Sequence, residues 1–595
     1  MARQLSTPAL TVVSSRIRER TFWKIRPAPT RGGFMPAVSW CYIVPSCGGW
    51  GMPDWFKDFD PLKGMEPFGS SGKGATDGLS TGIKIGSAIT NMFAQRRARK
   101  QIENEQREEQ RRVDEGIANP PPLHGSARWA DASDLLNADL LHPAPKFESA
   151  SSILIGAFED PALGGAVVGQ IHWDGEGHLL TVAPTRSGKS TTTIIPNLVR
   201  YKGSCVVLDP KGELYAQTAA WRRQNVGPVY RIAPFQPETD AYNPLDGVVS
   251  FSDAQALADL IMPPDPNAPD FFRKDAIAIL TAIIMFVTES APPGHRSMAE
   301  VRRITAAPLD LFTEAIRTMA GSRNHAIANA ANIVLGKDRS RAIPALRDTL
   351  NTEFALWDDP GLHRATSVAS FDFRALKDAP ATVYITVPFH KMSAYAAFLK
   401  ITLTTALEAM LQNETIPDIP VLFILDEFLS LGPFPRFRDA IRTHAGAGVR
   451  LWFFLQDVPT LEEHYPAGWK TFFNTSVKTF FGTDEHFTAS MISDFLGDQT
   501  RGYRTAGTSN SASTGPVFSG NGAGTGSVNH GIAYSGRPLL TPDEVTELLS
   551  GSAADQTRIG LVFARGVRPI RAKLVPWYLG QACRERVTPP ANRRT

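Results

Sequence analysis

The sequence predicts an α/β protein: a mostly parallel sheet built around a phosphate-binding loop and interrupted by an all-α insertion. Three observations predict it. Gly177 to Arg200 reads as strand, small-residue loop and helix, and the loop Ala183-Pro-Thr-Arg-Ser-Gly188-Lys189-Ser190 has the form of a P-loop. Apolar runs ending in an acid or an amide, at Ser204–Asp209, Val421–Glu427 and Leu451–Gln456, alternate with helical segments, as the strands of a parallel sheet do. Between 251 and 369 that alternation stops and helical periodicity takes over.

At 595 residues the chain is too long for one core. The 62 basic and 59 acidic residues leave a net charge of only +3, so any nucleic-acid contact has to come from local patches. Cys41, Cys47, Cys205 and Cys583 fit neither a zinc site nor a disulfide framework, which points to a reducing cytosol.

Residues 1–123 read as an irregular extension with a charged helix. The best apolar stretch, Phe34 to Met52, is broken by Pro36, Pro45 and glycines, so no membrane-spanning helix and no signal peptide is expected. Met52 or Met65 is an alternative start. Arg96 to Arg112 mixes charges at helical spacing and predicts a solvated helix, ended by Pro120-Pro121-Pro122.

The nucleotide-binding body is expected over 124–250, with short strands near Ser152–Phe158 and Val167–Trp173 leading to the P-loop strand. Ala183, Pro184, Thr185, Arg186, Ser187, Gly188, Lys189, Ser190 and Thr191 are the candidate nucleotide contacts. Gly188 lets the backbone approach phosphates, and the loop N–H groups with the helix N-terminus offer a fixed positive field. Lys189 would reach the β and γ phosphates and Ser190 would hold Mg²⁺. Ala183 stands where glycine is commoner. The next strand delivers Asp209-Pro-Lys211-Gly-Glu213 either beside the nucleotide or to a partner; a helix-capping Asp209 with solvated charges is the other reading.

An all-α insertion is expected over 251–369, and the sheet resumes over 370–580 from Thr382. Val421 to Glu427 has the form of a Walker B element, in which Asp426 holds the Mg²⁺ shell and Glu427 activates water. Gln456 sits where a γ-phosphate sensor would, or satisfies a backbone group. Residues 505–535, dominated by Gly, Ser, Thr and Asn, predict a flexible loop, either at a pore or as a plain surface insertion. A strand pair at Arg558–Ala564 and Ile570–Leu574 closes the body, and 581–595 reads as a disordered basic tail.

The chain resembles the type IV secretion and conjugation coupling proteins, the TraG-like P-loop ATPases. The resemblance is carried by His124-Gly-Ser-Ala-Arg-Trp129, the P-loop, Leu208-Asp-Pro-Lys-Gly-Glu213, Asn243-Pro-Leu245, Leu425-Asp-Glu-Phe428, the Gln456 strand and Gly536-Arg-Pro-Leu-Leu540. It implies a RecA-like domain interrupted by a cargo-recognising helical domain, and a homohexameric ring at the base of a secretion channel. ATP hydrolysis would drive a relaxase–DNA complex, or protein effectors, into that channel. The implied location is the bacterial cytoplasm at the inner membrane. The paired membrane-spanning helices usual in the family are not seen here, so the chain is either a soluble paralogue or held to the membrane by a partner, and membrane contact is expected through partners. The family also implies an arginine reaching the neighbouring subunit's site. In some members it lies eleven residues before the sensor glutamine, which is Ala445 here, and Arg442 and Arg450 are the nearest candidates. Lys189, Glu427, Gln456 and Arg450 are the candidate catalytic set, with Ser190 and Asp426 on the metal and ATP and Mg²⁺ as cofactors. A cargo-docking receptor that binds nucleotide without turnover, and a DNA pump of the chromosome-segregation type, are the alternatives.

Overall fold

The computed structural model describes residues 75–142, 149–160, 166–262, 270–338, 340–510, 526–551 and 556–589. The extension before residue 75, with Cys41, Cys47 and the alternative starts Met52 and Met65, lies outside the described residues, as does the tail from 590. The chain divides into two compact units, 1–98 and 99–595. In the first, the described residues form the leading part of the helix Ala75–Ala118. Side chains from Thr90 to Arg112 along that helix are exposed, as their interspersed charges require. No helix among the described residues is long and apolar enough to cross a membrane.

The second unit is built on one twelve-stranded sheet. In chain order its strands are β1 (Leu141–His142), β2 (Ile153–Asp160), β3 (Ala166–Trp173), β4 (Leu179–Val182), β5 (Cys205–Leu208), β6 (Val229–Ile232), β7 (Thr382–Ile385), β8 (Val421–Leu425), β9 (Val449–Leu455) and β10 (Val477–Phe480). A separate hairpin, β11 (Asp498–Asn510) with β12 (Gly526–Pro538), comes next, and β13 (Arg558–Ala564) and β14 (Ile570–Leu574) complete the sheet. Its spatial order is β1-β3-β2-β14-β13-β10-β4-β9-β8-β5-β7-β6. Every pairing from β10 to β6 is parallel, whereas β13, β14, β2, β3 and β1 extend it antiparallel.

The parallel strands β4, β5, β7, β8 and β9 are buried at every position because both sheet faces are covered. Alternate side chains supply two cores. Val206, Leu208, Phe423, Leu425 and Phe453 fill one face, and Val207, Leu422, Ile424, Trp452 and Phe454 fill the other. One buried cation ties the second face together. Arg222, in the helix Glu213–Asn225, has no exposed surface; its Nη1 donates to the carbonyls of Leu198 (2.9 Å) and Tyr201 (2.8 Å), and its Nη2 to that of Gly203 (2.7 Å). Arg222→Met leaves these acceptors buried and unpaired, and is expected to cost about 3–5 kcal/mol in urea unfolding.

Between β6 and β7 the chain is helical, from Phe251–Ile261 and Asp270–Ser290 through to Pro360–Ala365. This segment has its own core, with Leu280, Ile283, Phe312, Ile316 and Trp357 at its centre.

The flexible loop expected over 505–535 is corrected at its two ends. Residues 505–510 and 526–535 belong to the antiparallel β11–β12 ribbon, paired without a register break from Asp498↔Pro538 to Asn510↔Gly526; residues 511–525 lie outside the described residues. The glycines and serines mask a ribbon carried by backbone pairing and by β-prone Thr505, Ile532 and Tyr534. It rests on the end of the first helix, where Arg504 pairs with Asp114 and a Cβ on Gly116 would stand 2.5 Å from Ile532 Cδ1.

Candidate functional site

The site forms where strand register brings three sequence-distant termini level. Val182 pairs with Leu455, and Leu425 with Phe453, so the P-loop, Gln456 and the acids after β8 leave the same edge of the sheet side by side. Ligands of parallel α/β sheets bind at this carboxyl edge.

The P-loop is braced by its own hydrogen bonds. Ser187 Oγ donates to the Pro184 carbonyl (2.6 Å), and the hydroxyls of Thr191 and Thr192 donate to the Gly188 carbonyl (3.1 and 2.9 Å). Gly188 has φ +94°, a region that side chains other than glycine avoid. Lys189 leads into a π-helical turn, Ser190–Ile194, that continues as the helix Ile195–Leu198. Thr185 and Arg186 are exposed at the loop tip, while Ala183, Ser187 and Lys189 are buried.

Lys189 Nζ donates to Glu427 Oε1 at 3.0 Å, and Gln456 Nε2 donates to Glu427 Oε2 at 2.8 Å. Both oxygens of the glutamate are therefore held, one by the P-loop lysine and one by the amide at the end of β9. Glu427 adopts a left-handed backbone, φ +53°, in the turn that presents its side chain. Beside it, Asp426 is 6% exposed, and burial pushes its pKa up to about 7 against the opposing charge of Lys189. Its Oδ1 is buried without a hydrogen-bond partner. An orphaned carboxylate oxygen, on a group that the Lys189 charge acts on, fits a Mg²⁺ shell, with the Ser190 hydroxyl as the second ligand the sequence offers.

Asp209 takes the capping role. Its Oδ2 accepts from the Tyr215 amide at 2.8 Å, and burial pushes its pKa up to about 6. Lys211 is exposed, close enough for its charge to act on Asp426.

Arg450 does not join the site. It stands at the opposite end of β9 from Gln456, roughly 20 Å away at about 3.3 Å per residue. There its Nη2 donates to Asp174 Oδ1 (2.9 Å) and the Asp174 carbonyl (3.0 Å), Nη1 donates to the Ser151 carbonyl, and the guanidinium lies over Trp173. The expectation was of an arginine reaching the neighbouring subunit's site, and a guanidinium that is 4% exposed and held by Asp174 and Ser151 is not free to make that reach. Arg442 is exposed in the last turn of the helix Pro435–Thr443 and has no ion pair among the described residues.

Two residues at the site escaped the sequence reading. Arg558 opens β13, and its Nε lies 3.9 Å from where a Cβ on Gly188 would be. Gly482, after β10 with φ +72°, lets that loop seat against Ser187, whose Cβ a side chain would meet at 2.8 Å. Both reach the P-loop because β10 pairs with β4 and β13 pairs with β10. No local motif signals such an approach.

Residues 128–595 match the profile of the family described as Type IV secretory system Conjugative DNA transfer. The conjugal transfer protein TraG of Escherichia coli is 28% identical over 462 residues, which cover 71% of this chain and 70% of that protein. Protein VirD4 of Rhizobium rhizogenes is 27% identical over 471 residues, covering 76% of this chain and 65% of VirD4, just under two thirds of its length. Two solved structures of the conjugative coupling protein TrwB share the fold. The form in complex with sulphate gives a TM-score of 0.53 at 17% identity, and the complex with a non-hydrolysable ATP analogue 0.52 at 16%; each covers 76% of this chain and 93% of TrwB.

Proposed function

The chain belongs to the Type IV secretory system conjugative DNA transfer family, the TraG-like coupling proteins, and from that premise we propose that it is a Mg²⁺-dependent ATPase driving DNA or protein cargo into a type IV secretion channel. The observation that carries the catalytic part is the Lys189–Glu427–Gln456 chain beside an Asp426 oxygen that lacks a partner.

Lys189 has the length and charge to take the β and γ phosphates, and N–H groups of the loop between Thr185 and Thr191 would surround them, since Pro184 has none and that of Ala183 is taken by the Leu455 carbonyl. Mg²⁺ held by Ser190 and Asp426 would neutralise charge developing on the phosphates. When phosphate draws Lys189 away, Glu427 Oε1 loses its donor and becomes the acceptor that orients and deprotonates a water. Gln456 keeps hold of Oε2 and turns with the glutamate, which ties the occupancy of the site to the end of β9. Arg558 adds a positive charge beside Gly188 from the same chain, and Arg558→Ala is expected to weaken nucleotide binding about tenfold in equilibrium titration.

A homohexamer, with sites shared between neighbouring subunits, fits an incomplete set of cations in one chain, and exposed Arg442 is the arginine free to reach across. Relaxase–DNA complex or protein effectors are the cargo class, the helical segment between β6 and β7 their recognition element, and the cytoplasmic face of the inner membrane the place of action, with membrane contact through channel partners.

ATP turnover by the purified chain, alone and with single-stranded or double-stranded DNA, tests this reading. Turnover that rises with DNA and with protein concentration, and is lost in Lys189→Ala, is the expected result. Bound ATP with no turnover under any of these conditions favours a docking receptor instead.

A further inference from the structure

The carboxyl edge of the sheet carries a further cation, Lys211, to which the chemistry above gives no task. Leu208 at the end of β5 pairs with Leu425 at the end of β8, so Asp209-Pro-Lys211 leaves the sheet level with Asp426-Glu427. The spatial order β4-β9-β8-β5 sets the P-loop on one side of these acids and Lys211 on the other. Adjacent strands lie about 4.8 Å apart, so the end of β5 is one such step from the acids and the end of β4 two.

The turn that holds Lys211 is fixed on three sides. Asp209 Oδ2 accepts from the Tyr215 amide, and the Gly212 amide donates to the Asp209 carbonyl at 3.2 Å. Gly212 has φ +67°, and a Cβ there would stand 3.5 Å from both Arg231 Nη2 and Thr386 Cγ2, which seats the turn against β6 and the end of β7. The Lys211 side chain itself is exposed. Its charge acts on Asp426 across the strand pair, as that of Lys189 does from the P-loop side; Asp209, nearer in sequence, is acted on by Glu213 and Arg231. Two lysines therefore bracket the acid assigned to Mg²⁺, one on a phosphate loop and one on a rigid turn opposite it.

We propose that Lys211 is a ligand of the γ-phosphate and the residue by which the site tells ATP from ADP. The proposal rests on the ATPase reading above. Glu427 can activate a water only beside the phosphorus that the water attacks, so the terminal phosphate has to lie against the acid pair. Approaching from the far side of that pair, Lys211 meets the terminal phosphate before any other part of the nucleotide, whereas Lys189 holds the β phosphate as well. Loss of the γ-phosphate leaves Lys211 without a contact and leaves Lys189 with one. A compact ammonium on a flexible stem suits a contact made only when the triphosphate is present.

Equilibrium titration of the full chain, in Mg²⁺, with ADP and with a non-hydrolysable ATP analogue tests this assignment. Lys211→Gln is expected to weaken the analogue about tenfold or more, as loss of one charge-assisted contact does, and to leave ADP within about twofold of the parent. Lys211→Arg, which keeps the charge, should recover part of the loss. Lys189→Ala, the control, weakens both ligands. Equal loss for the two ligands in Lys211→Gln, or loss for neither, overturns the proposal and leaves the ATPase reading standing. A parent chain that binds neither nucleotide overturns that reading and this assignment with it.

Discussion

A chain carrying Glu427→Gln is expected to bind nucleotide and to lose ATP turnover by a factor of about 10² to 10⁴. The amide keeps the size of the side chain and can still meet Lys189 and Gln456, so the cleft should stay assembled. What it loses is the capacity to accept a proton from water. Binding should if anything tighten, because the lysine that now donates to Glu427 Oε1 at 3.0 Å no longer has to leave a carboxylate for the phosphates. Phosphate release and equilibrium binding of a fluorescent ATP analogue, measured on one preparation, separate the two effects. Turnover within a factor of a few of the parent chain would remove Glu427 from its role as base. Lost turnover together with lost binding would mean instead that the Lys189–Glu427 pair holds the P-loop open.

Much of this site is legible in the sequence because its chemistry is local. A P-loop is contiguous, and an apolar strand that delivers Asp426 and Glu427 announces both the strand and its acids within seven residues. The parallel sheet follows from the same runs, since strands buried on both faces have to be apolar throughout, as β8 and β9 are. Legibility ends where position depends on partners remote in the chain. Arg558 arrives at Gly188 only through two strand pairings, β4 to β10 and β10 to β13. Arg450, near Gln456 in sequence, is carried to the other edge of the sheet by the strand they share. The β11–β12 ribbon was hidden because glycine and serine mark a segment that buries little, whereas its order comes from backbone pairing, which composition does not record. Asp209 is ambiguous in sequence between capping and a place beside the nucleotide, and the structure shows its bond to the Tyr215 amide together with a charge that acts on Asp426.

Asp426→Asn is expected to make the metal-free chain more stable and to abolish turnover. In the folded chain the Asp426 carboxyl titrates at about 7, and in the unfolded chain near its ordinary 3.8. Below the lower value both states hold the proton, and the residue costs nothing in charge. Between the two the unfolded chain has released its proton while the folded chain retains it, so folding stability falls as pH rises, by about 1.4 kcal/mol for each pH unit crossed. Above 7 the loss is complete and constant. An asparagine carries no such penalty, so with EDTA present the variant should melt a few degrees above the parent at pH 8, and the gap should narrow towards pH 5. A gap of equal size at both values would show that Asp426 is not held protonated by burial. Adding Mg²⁺ and a non-hydrolysable ATP analogue should then reverse the order at pH 8, because the parent gains a ligand for its buried charge while the amide, a weaker donor to a hard cation, gains less. The carboxylate that weakens the empty fold is thus the one that metal and nucleotide repay on binding, so the stability lost at Asp426 becomes free energy available to drive the loaded conformation.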